Sequence, residues 1–340
     1  MRLKGQLSAL RHRQFLKYWL GSFTSVGATQ LQIMGLGWLV WELSTSPLML
    51  GYLGAAAGIP AAFLTIFGGA LADRLDKRFV LIATSLITAA LLALLTYLDY
   101  ANLVQVWQVI LITGSISVVT GFDWPVRQSI FPSLIERSDM MSAVALTTVI
   151  WQATRMVMPA LGGIVIAVAD TWLLFAICST GFFIMFLVLL TINVQSKAIR
   201  NQDSTLHQIN EGLQFIIKTP EFLILIVLSF AICFFATSYI QLMPAFADML
   251  SANEREFGYM LSVGGIGAVI GTIISSNIQN SMRLGLLMLY SAIIYCAFIY
   301  LFASICLLHW PHSYLAALTM IFLSGIFNSV FMITSTGVLQ

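Results

Sequence analysis

Polar residues interrupt this chain at nearly regular intervals, and between the interruptions the sequence is apolar for twenty or more residues at a time. A helix rises 1.5 Å per residue and the hydrocarbon core of a bilayer is about 30 Å thick, so each run is long enough to cross a membrane. The pattern predicts ten spans, over 15–43, 48–72, 79–98, 106–124, 141–169, 171–194, 222–249, 257–278, 284–308 and 314–338. Most connections are short, which predicts antiparallel neighbours. The exception is 195–221, where Leu206, Ile209, Leu213 and Ile216 recur at helical spacing, Asp203 or Ser204 stands as a cap and Pro220 as a stop. That spacing predicts an amphipathic helix lying at the membrane interface. The chain therefore divides into a six-helix half (1–194), a linker (195–221) and a four-helix segment (222–340).

Composition removes the alternative of a soluble fold. Of 340 residues, 59% are hydrophobic and 9% charged, against roughly 25% charged in a soluble domain. So few charges cannot cover a water-facing surface, and lipid must take the place of water around most of an all-α membrane protein. The sixteen basic residues are unevenly placed. Fourteen fall at the amino terminus or in every second connection, and only Arg155 and Arg255 lie elsewhere. By the positive-inside rule both termini are cytoplasmic. The expected setting is multi-pass, in a bacterial inner membrane, with the lipid bilayer as the first partner. The first apolar run is too long for a signal peptide and lacks a cleavage site.

Several chemistries are absent. Cys178, Cys233, Cys296 and Cys306 all sit inside apolar runs with no CxxC or Cys/His spacing, so no metal or disulfide framework is expected. There is no GxxxxGK[ST] phosphate loop, GxSxG or HExxH. No cofactor, no enzyme activity and no nucleic-acid partner are expected.

The segment Gly69-Ala70-Leu71-Ala72-Asp73-Arg74-Leu75-Asp76-Lys77-Arg78 joins the second and third spans. It resembles the loop signature of the major facilitator superfamily, G-x-L-A-D-R-x-G-R-R, with Asp76 where glycine is usual. Phe122–Pro132, after the fourth span, resembles F-x-x-P-x-R-Q-A-x-x-P of one branch of that superfamily, the drug:proton antiporter group that contains the enterobactin exporter and macrolide efflux proteins. The resemblance runs from residue 10 to about 275. It implies the major facilitator fold, of six N-terminal helices plus four of the second six, with Gly69, Asp73, Arg74, Lys77 and Arg78 as a cytoplasmic gating motif. In the family a further two helices follow, so the chain is expected to be a fragment or a truncation. Arg155-Met156-Val157-Met158-Pro159-Ala160-Leu161-Gly162-Gly163 resembles the antiporter motif G-P-x-x-G-G, which marks Arg155, Pro159, Gly162 and Gly163. Pro159 frees a backbone carbonyl and bends the helix. The two glycines offer a flat face to a neighbour, and Gly264, Gly265, Gly267 and Gly271 do the same in the eighth span.

Arg155 stands fourteen residues past Met141, roughly 21 Å along its helix. A lone arginine at that depth costs on the order of 2.5–3.5 kcal/mol on insertion scales, so it must face protein or a wet cavity. Gln30, Gln32 and Gln152 are at similar depth. Its role is either substrate or gating contact, or binding of helix carbonyls. Asp123, at the inner end of the fourth span, is either a proton-carrying carboxylate or the partner of Arg127 one turn on, and the spacing favours the pair. The family fold lines its cavity with the first, fourth, seventh and tenth spans. That implies Gln30, Gln32, Asp123, Gln152, Tyr239, Gln241 and Asn328 as candidate substrate contacts. The expected function is secondary export of an amphipathic small molecule (a siderophore or drug) by alternating access, with protons as the coupling partner. An importer or lipid flippase of the same fold, or a transport-incompetent membrane protein, remain as alternatives.

Overall fold

The computed structural model describes residues 8–72, 76–130, 133–192, 220–236, 238–278, 284–308 and 312–339. The amphipathic linker, Asp73 and Arg74 lie outside the described residues. The predicted spans other than the seventh fall on helix among the described residues. The helices are α1 (Arg13–Ser44), α2 (Pro47–Ala72), α3 (Lys77–Tyr100), α4 (Val106–Ser129), α5 (Met140–Thr191), α6 (Pro220–Ala231), α7 (Met243–Met249), α8 (Glu254–Ile278), α9 (Leu284–Leu308) and α10 (Ser313–Leu339).

Among the described residues seven helices are each long and apolar enough to cross a membrane. One of them, α5, is 52 residues long, about 78 Å at 1.5 Å per residue and hence enough for two crossings. Its backbone leaves helical geometry at Ala169 and Asp170, the latter at φ 65°, where the sequence predicts the turn between the fifth and sixth spans. The helix α1 is not among the seven: its 32 residues suffice in length, but Thr24, Ser25, Thr29, Gln30 and Gln32 dilute its apolar character. The predicted seventh span is not one helix. After α6 come a π segment, Ile232–Ala236, and a 3-10 turn, Ser238–Ile240, before α7. Residues 226–240 and 243–249 together qualify as a span bent by 46°. Pro244, which has no N–H to offer the carbonyl one turn back, stands at the start of α7. The helix α4 runs five residues past the predicted end, through Pro125 to Ser129.

The chain forms two compact units. The first comprises 1–154 and 168–203, the second 155–167 and 204–340. The linear division thus differs from the packing at one place, where the middle of α5 joins the second unit. In the first unit α2 packs on α4, α4 on α3, and α1 on α2 and α4. The second arm of α5 lies on α1 and α3, where Cys178 Sγ meets the Ala28 carbonyl and the Ser179 hydroxyl donates to Ala89 O at 2.8 Å. In the second unit α10 packs against both α8 and α9. There the 155–167 stretch meets α8 backbone to backbone at its glycines. A Cβ on Gly258 would stand 2.5 Å from Pro159 O and 3.1 Å from Gly163 Cα. The Ser262 hydroxyl accepts from the Ala160 N–H at 2.8 Å.

At one end of the first unit the 3-10 turn Ser8–Arg11 folds onto the start of α5. The Ser8 hydroxyl donates to Asp139 Oδ1 at 2.6 Å, His12 Nε2 lies 2.8 Å from Asp139 Oδ2, and Ala9 N–H donates to the Ser142 hydroxyl at 3.2 Å. The hydrogen bonds from Ser8 and then His12 hold the Asp139 carboxyl below its ordinary pKa. A carboxyl depressed on folding stabilises the contact above its unfolded pKa of about 3.9, and that contribution disappears as pH falls through the lower folded value.

Two outcomes follow. Gly258→Leu is expected to lower thermal stability by about 1–3 kcal/mol through overpacking, read as a lower melting temperature in detergent. Gly51→Leu, at a position with open space within 4 Å, is expected to leave it unchanged. Asp139→Asn is expected to free the Ser8–Arg11 turn at pH 7, seen as faster tryptic cleavage after Arg11 and Arg13. Wild type should gain that sensitivity only below the ordinary carboxylate range.

Candidate functional site

The first unit holds a buried ion pair beside a polar cavity. The pair is Arg127 Nε with Asp123 Oδ2, one turn apart on α4, with side chains 14% and 16% exposed. The other carboxylate oxygen accepts from the Thr84 hydroxyl of α3 at 2.7 Å, and Arg127 Nη1 reaches the Ser25 hydroxyl of α1 at 3.5 Å. The Tyr18 hydroxyl joins Arg127 from about two turns of α1 nearer its start. Extension of α4 past Pro125 is what makes the pair possible. Arg127, read in the sequence as a loop charge, is helical and nearly buried.

The cavity next to this pair has a volume of about 90 Å³ and is lined by residues of α1, α3, α4 and both arms of α5. Water occupies about 30 Å³ per molecule, so the space admits about three. Its polar wall includes Gln32, Thr88 and Ser85. The Ser85 hydroxyl is buried with no protein partner among the described residues. Trp124 and Trp151 close one side in an edge-to-face contact with centroids 5.3 Å apart. Of the predicted cavity residues, Gln32 and Asp123 meet here. Gln30 lies half-buried on α1 and Gln152 half-buried on α5, outside this lining.

Two basic residues of the motif after α2 are tied to helix ends. Lys77 Nζ donates to Ser129 O at 3.1 Å, the last residue of α4. Arg78 donates from Nε to Leu189 O at 3.1 Å and from Nη2 to Leu190 O at 2.7 Å, at the end of α5. Cations at helix C-termini satisfy carbonyls that have no partner further along the helix. Asp76 caps α3 by accepting from the Arg78 N–H at 2.9 Å, so the position that departs from the superfamily signature has a local structural use. Gly69 lies within α2.

In the second unit the interrupted span carries Tyr239 in its 3-10 turn and Gln241 in the turn that follows. The Tyr239 hydroxyl lies near Ser324 of α10, whose own hydroxyl donates to the Ile321 carbonyl at 2.8 Å, and within electrostatic reach of Arg155. The Tyr239 ring packs with Phe327 on an apolar cluster of Ile232, Met288, Tyr295 and Phe331. The Tyr295 hydroxyl donates to the Ala236 carbonyl at 2.9 Å, meeting a backbone acceptor at the end of the π segment. Asn328 is one turn beyond Ser324, 8% exposed, and its Oδ1 has no partner among the described residues. Phe234 and Phe235 are exposed on the π segment. Pro159, Gly162 and Gly163 are buried in the 155–167 stretch.

Sequence reasoning missed a second cavity in the first unit, about 380 Å³, lined among others by Glu42, Asp99, Asp170, Tyr100 and Trp172. The Thr171 hydroxyl donates to Asp99 Oδ2 at 2.5 Å, and Tyr100 meets Trp172 edge-on at 5.2 Å. The signal was present, since each acidic residue sits at the end of a span. Only the fold shows that three span ends meet.

The family model MFS_3, transmembrane secretion effector, matches residues 4–338. The chain is 26% identical over 267 residues to the staphyloferrin A transporter of Staphylococcus aureus, covering 76% of this chain and 63% of that one. It is 25% identical over 299 residues to the enterobactin exporter EntS of Shigella boydii, covering 84% and 69%. The chain thus spans less than two thirds of the length of the staphyloferrin A transporter. Among solved structures, the nucleoside transporter NupG superposes with a TM-score of 0.80 at 14% identity, covering 94% of this chain and 81% of that one. A bacterial homologue of the iron transporter ferroportin, inward-facing, gives 0.73 at 14% identity, covering 96% and 83%. At these identities the superpositions establish the fold alone, that of major facilitator transporters.

The ion pair yields a double-mutant test. Asp123→Asn or Arg127→Gln alone is expected to destabilise the protein by about 3–5 kcal/mol, because each leaves a buried charge without its partner. The double variant is expected to recover most of that loss. Melting temperatures of the four proteins in one detergent measure the coupling.

Proposed function

The chain belongs to the MFS_3 family of transmembrane secretion effectors, within the major facilitator superfamily, and from that premise we propose a secondary transporter that exports an amphipathic small molecule, a siderophore or a drug. The observation that carries this reading is the polar cavity with its buried Asp123–Arg127 pair inside an otherwise apolar helical unit. A bundle built only to be stable gains little from such a pair, since apolar replacements of similar volume are often as stable or more so. A transporter has a use for one. The names of the relatives support a siderophore as cargo, and that of EntS supports export.

The proposed cycle is alternating access around a central site, driven by the proton gradient. Asp123 is the proton carrier in this reading. Its protonation removes the charge that holds Arg127 and weakens the hydrogen bond accepted from Thr84, freeing α3 and α4 to move. Gln30, Gln32, Gln152, Tyr239, Gln241 and Asn328 contact substrate. Gly69, Asp73, Arg74, Lys77 and Arg78 gate the cytoplasmic side, where Lys77 and Arg78 hold the ends of α4 and α5 until the units shift. Both termini are then cytoplasmic, in a bacterial inner membrane.

Cells lacking their major efflux pumps provide the test. Expression of the chain is expected to reduce retention of a siderophore or fluorescent dye several-fold. A protonophore, or Asp123→Asn, is expected to abolish the reduction. Unchanged retention at verified membrane expression would sink the exporter reading.

A further inference from the structure

The cavity beside the Asp123–Arg127 pair has a direction. Ser25 and Thr84 touch the pair, at Arg127 Nη1 and Asp123 Oδ1. From Ser25 the lining continues along α1 to Gln32, and from Thr84 along α3 to Thr88. Seven residues of helix are about 10 Å long and four about 6 Å. The space is a short channel within the first unit, with the ion pair at one end and Gln32 and Thr88 at the other.

Hydroxyls inside a span are commonly taken up by their own helix, and here Thr96, Thr113 and Thr120 each donate at 2.8 Å to the carbonyl four residues back. Ser85 and Thr88 do not, and among the described residues neither they nor the Gln32 amide pair with any protein group. The three side chains are 1%, 4% and 7% exposed, and all three line the channel. Each both donates and accepts. Buried groups of this kind are normally paired, so three of them around one cavity point to an occupant.

Size and charge decide what fits. The volume of about 90 Å³ admits about three waters and is too small for an amphipathic cargo. Arg127 already neutralises the neighbouring carboxylate, which removes the attraction for a metal cation, and the three unpaired groups are neutral. Apolar cavities stay dry, whereas polar ones with several partners per molecule hold water.

We propose that this channel binds a file of waters held by Ser85, Thr88 and Gln32, and that the file is the route by which Asp123 gains and loses its proton. Three waters make four hydrogen-bond steps of about 2.8 Å, roughly 11 Å end to end, close to the length of the channel. A proton taken up by the water at Gln32 moves as a relay. Each water forms one O–H bond to the proton it receives and releases another of its protons to the next. The last water gives a proton to the Asp123 carboxylate, which becomes neutral, and the waters are left as they began. Arg127 and Tyr18 are the other titratable groups at that end. The relay rests on the reading of Asp123 as proton carrier, whereas the water site does not. Gln32, assigned above to substrate contact, closes the far end, so cargo and proton meet at one side chain.

Two measurements on the purified full chain in lipid nanodiscs test the water site and the relay separately. Radiolytic hydroxyl-radical labelling marks buried side chains that touch bound water. Phe182 and Ile116 are buried and line the channel. Phe175 and Ile112, on the same two helices, are buried outside its lining. In wild type Phe182 and Ile116 are expected to label severalfold faster than these matched controls. Ser85→Leu, which removes one unpaired hydroxyl and fills the space, is expected to abolish the difference, with Thr88→Met as a second filling variant. Equal labelling in wild type, or a difference that survives filling, would overturn the water site.

Photolysis of a caged acid then times proton delivery to Asp123, read as growth of the carboxylic C=O infrared band that the Asp123→Asn/Arg127→Gln double variant lacks. In Thr88→Val and Ser85→Ala the band is expected to rise severalfold more slowly than in wild type, with a larger slowing in D2O. Thr88→Ser, which keeps the hydroxyl, is expected to restore wild-type timing. Unchanged timing in Thr88→Val and Ser85→Ala would overturn the relay. A wild type without an Asp123 band would remove the relay together with the proton-carrier reading. Failure of the retention assay with the relay timing as expected would remove export alone.

Discussion

In hydrocarbon there is no water to accept a peptide N–H or donate to a C=O, and each unpaired group costs several kilocalories per mole. That constraint turns nearly all of this chain into helix and places its most telling side chains at the points where helix stops. Arg78 supplies the donors for Leu189 and Leu190 at the end of α5, and Lys77 does so for Ser129 at the end of α4. Tyr295 meets the Ala236 carbonyl where the π segment ends. The basic loop that the sequence marks as a signature is, in the first unit, a set of helix caps. A change of conformation that pulls it away must expose three helix-end carbonyls or cover them again.

Charge obeys the same logic with larger stakes. The chain has few charges, and those inside its spans are not interchangeable. Asp123 and Arg127 neutralise each other one turn apart and share Thr84, Ser25 and Tyr18 as further partners. The pair is therefore tied to α1 and α3 as well as to its own helix. Among the described residues of its own unit Arg155 has no such arrangement.

Close helix approach organises the second unit. The 155–167 stretch belongs by packing to the second unit although the chain enters and leaves it from the first. Gly163, Gly258 and Gly265 bring backbone to within van der Waals contact of backbone there, a mode of association suited to lipid, where apolar burial drives little. The unit boundaries fall within α5, between Thr154 and Arg155 and between Ala167 and Val168.

The sequence by itself determined the all-α membrane class, the family and the helical spans other than the seventh. Apolar length, basic asymmetry and the 69–78 motif are local properties, readable because a span's fate depends on its own twenty residues and on lipid. Pro159, Gly162 and Gly163 were legible for the same reason. The pairing of Asp123 with Arg127 was favoured by spacing, yet the loop boundary placed Arg127 outside the helix, because Pro125 reads as a stop and tertiary packing carried α4 past it. The interruption of the seventh span, the transfer of 155–167 to the second unit, the meeting of Glu42, Asp99 and Asp170, and the unpartnered state of Ser85 and Asn328 were decided only by tertiary structure. Each depends on which distant residues come within a few ångströms, and an apolar stretch of sequence looks the same whether a neighbouring helix supplies a partner or leaves a cavity.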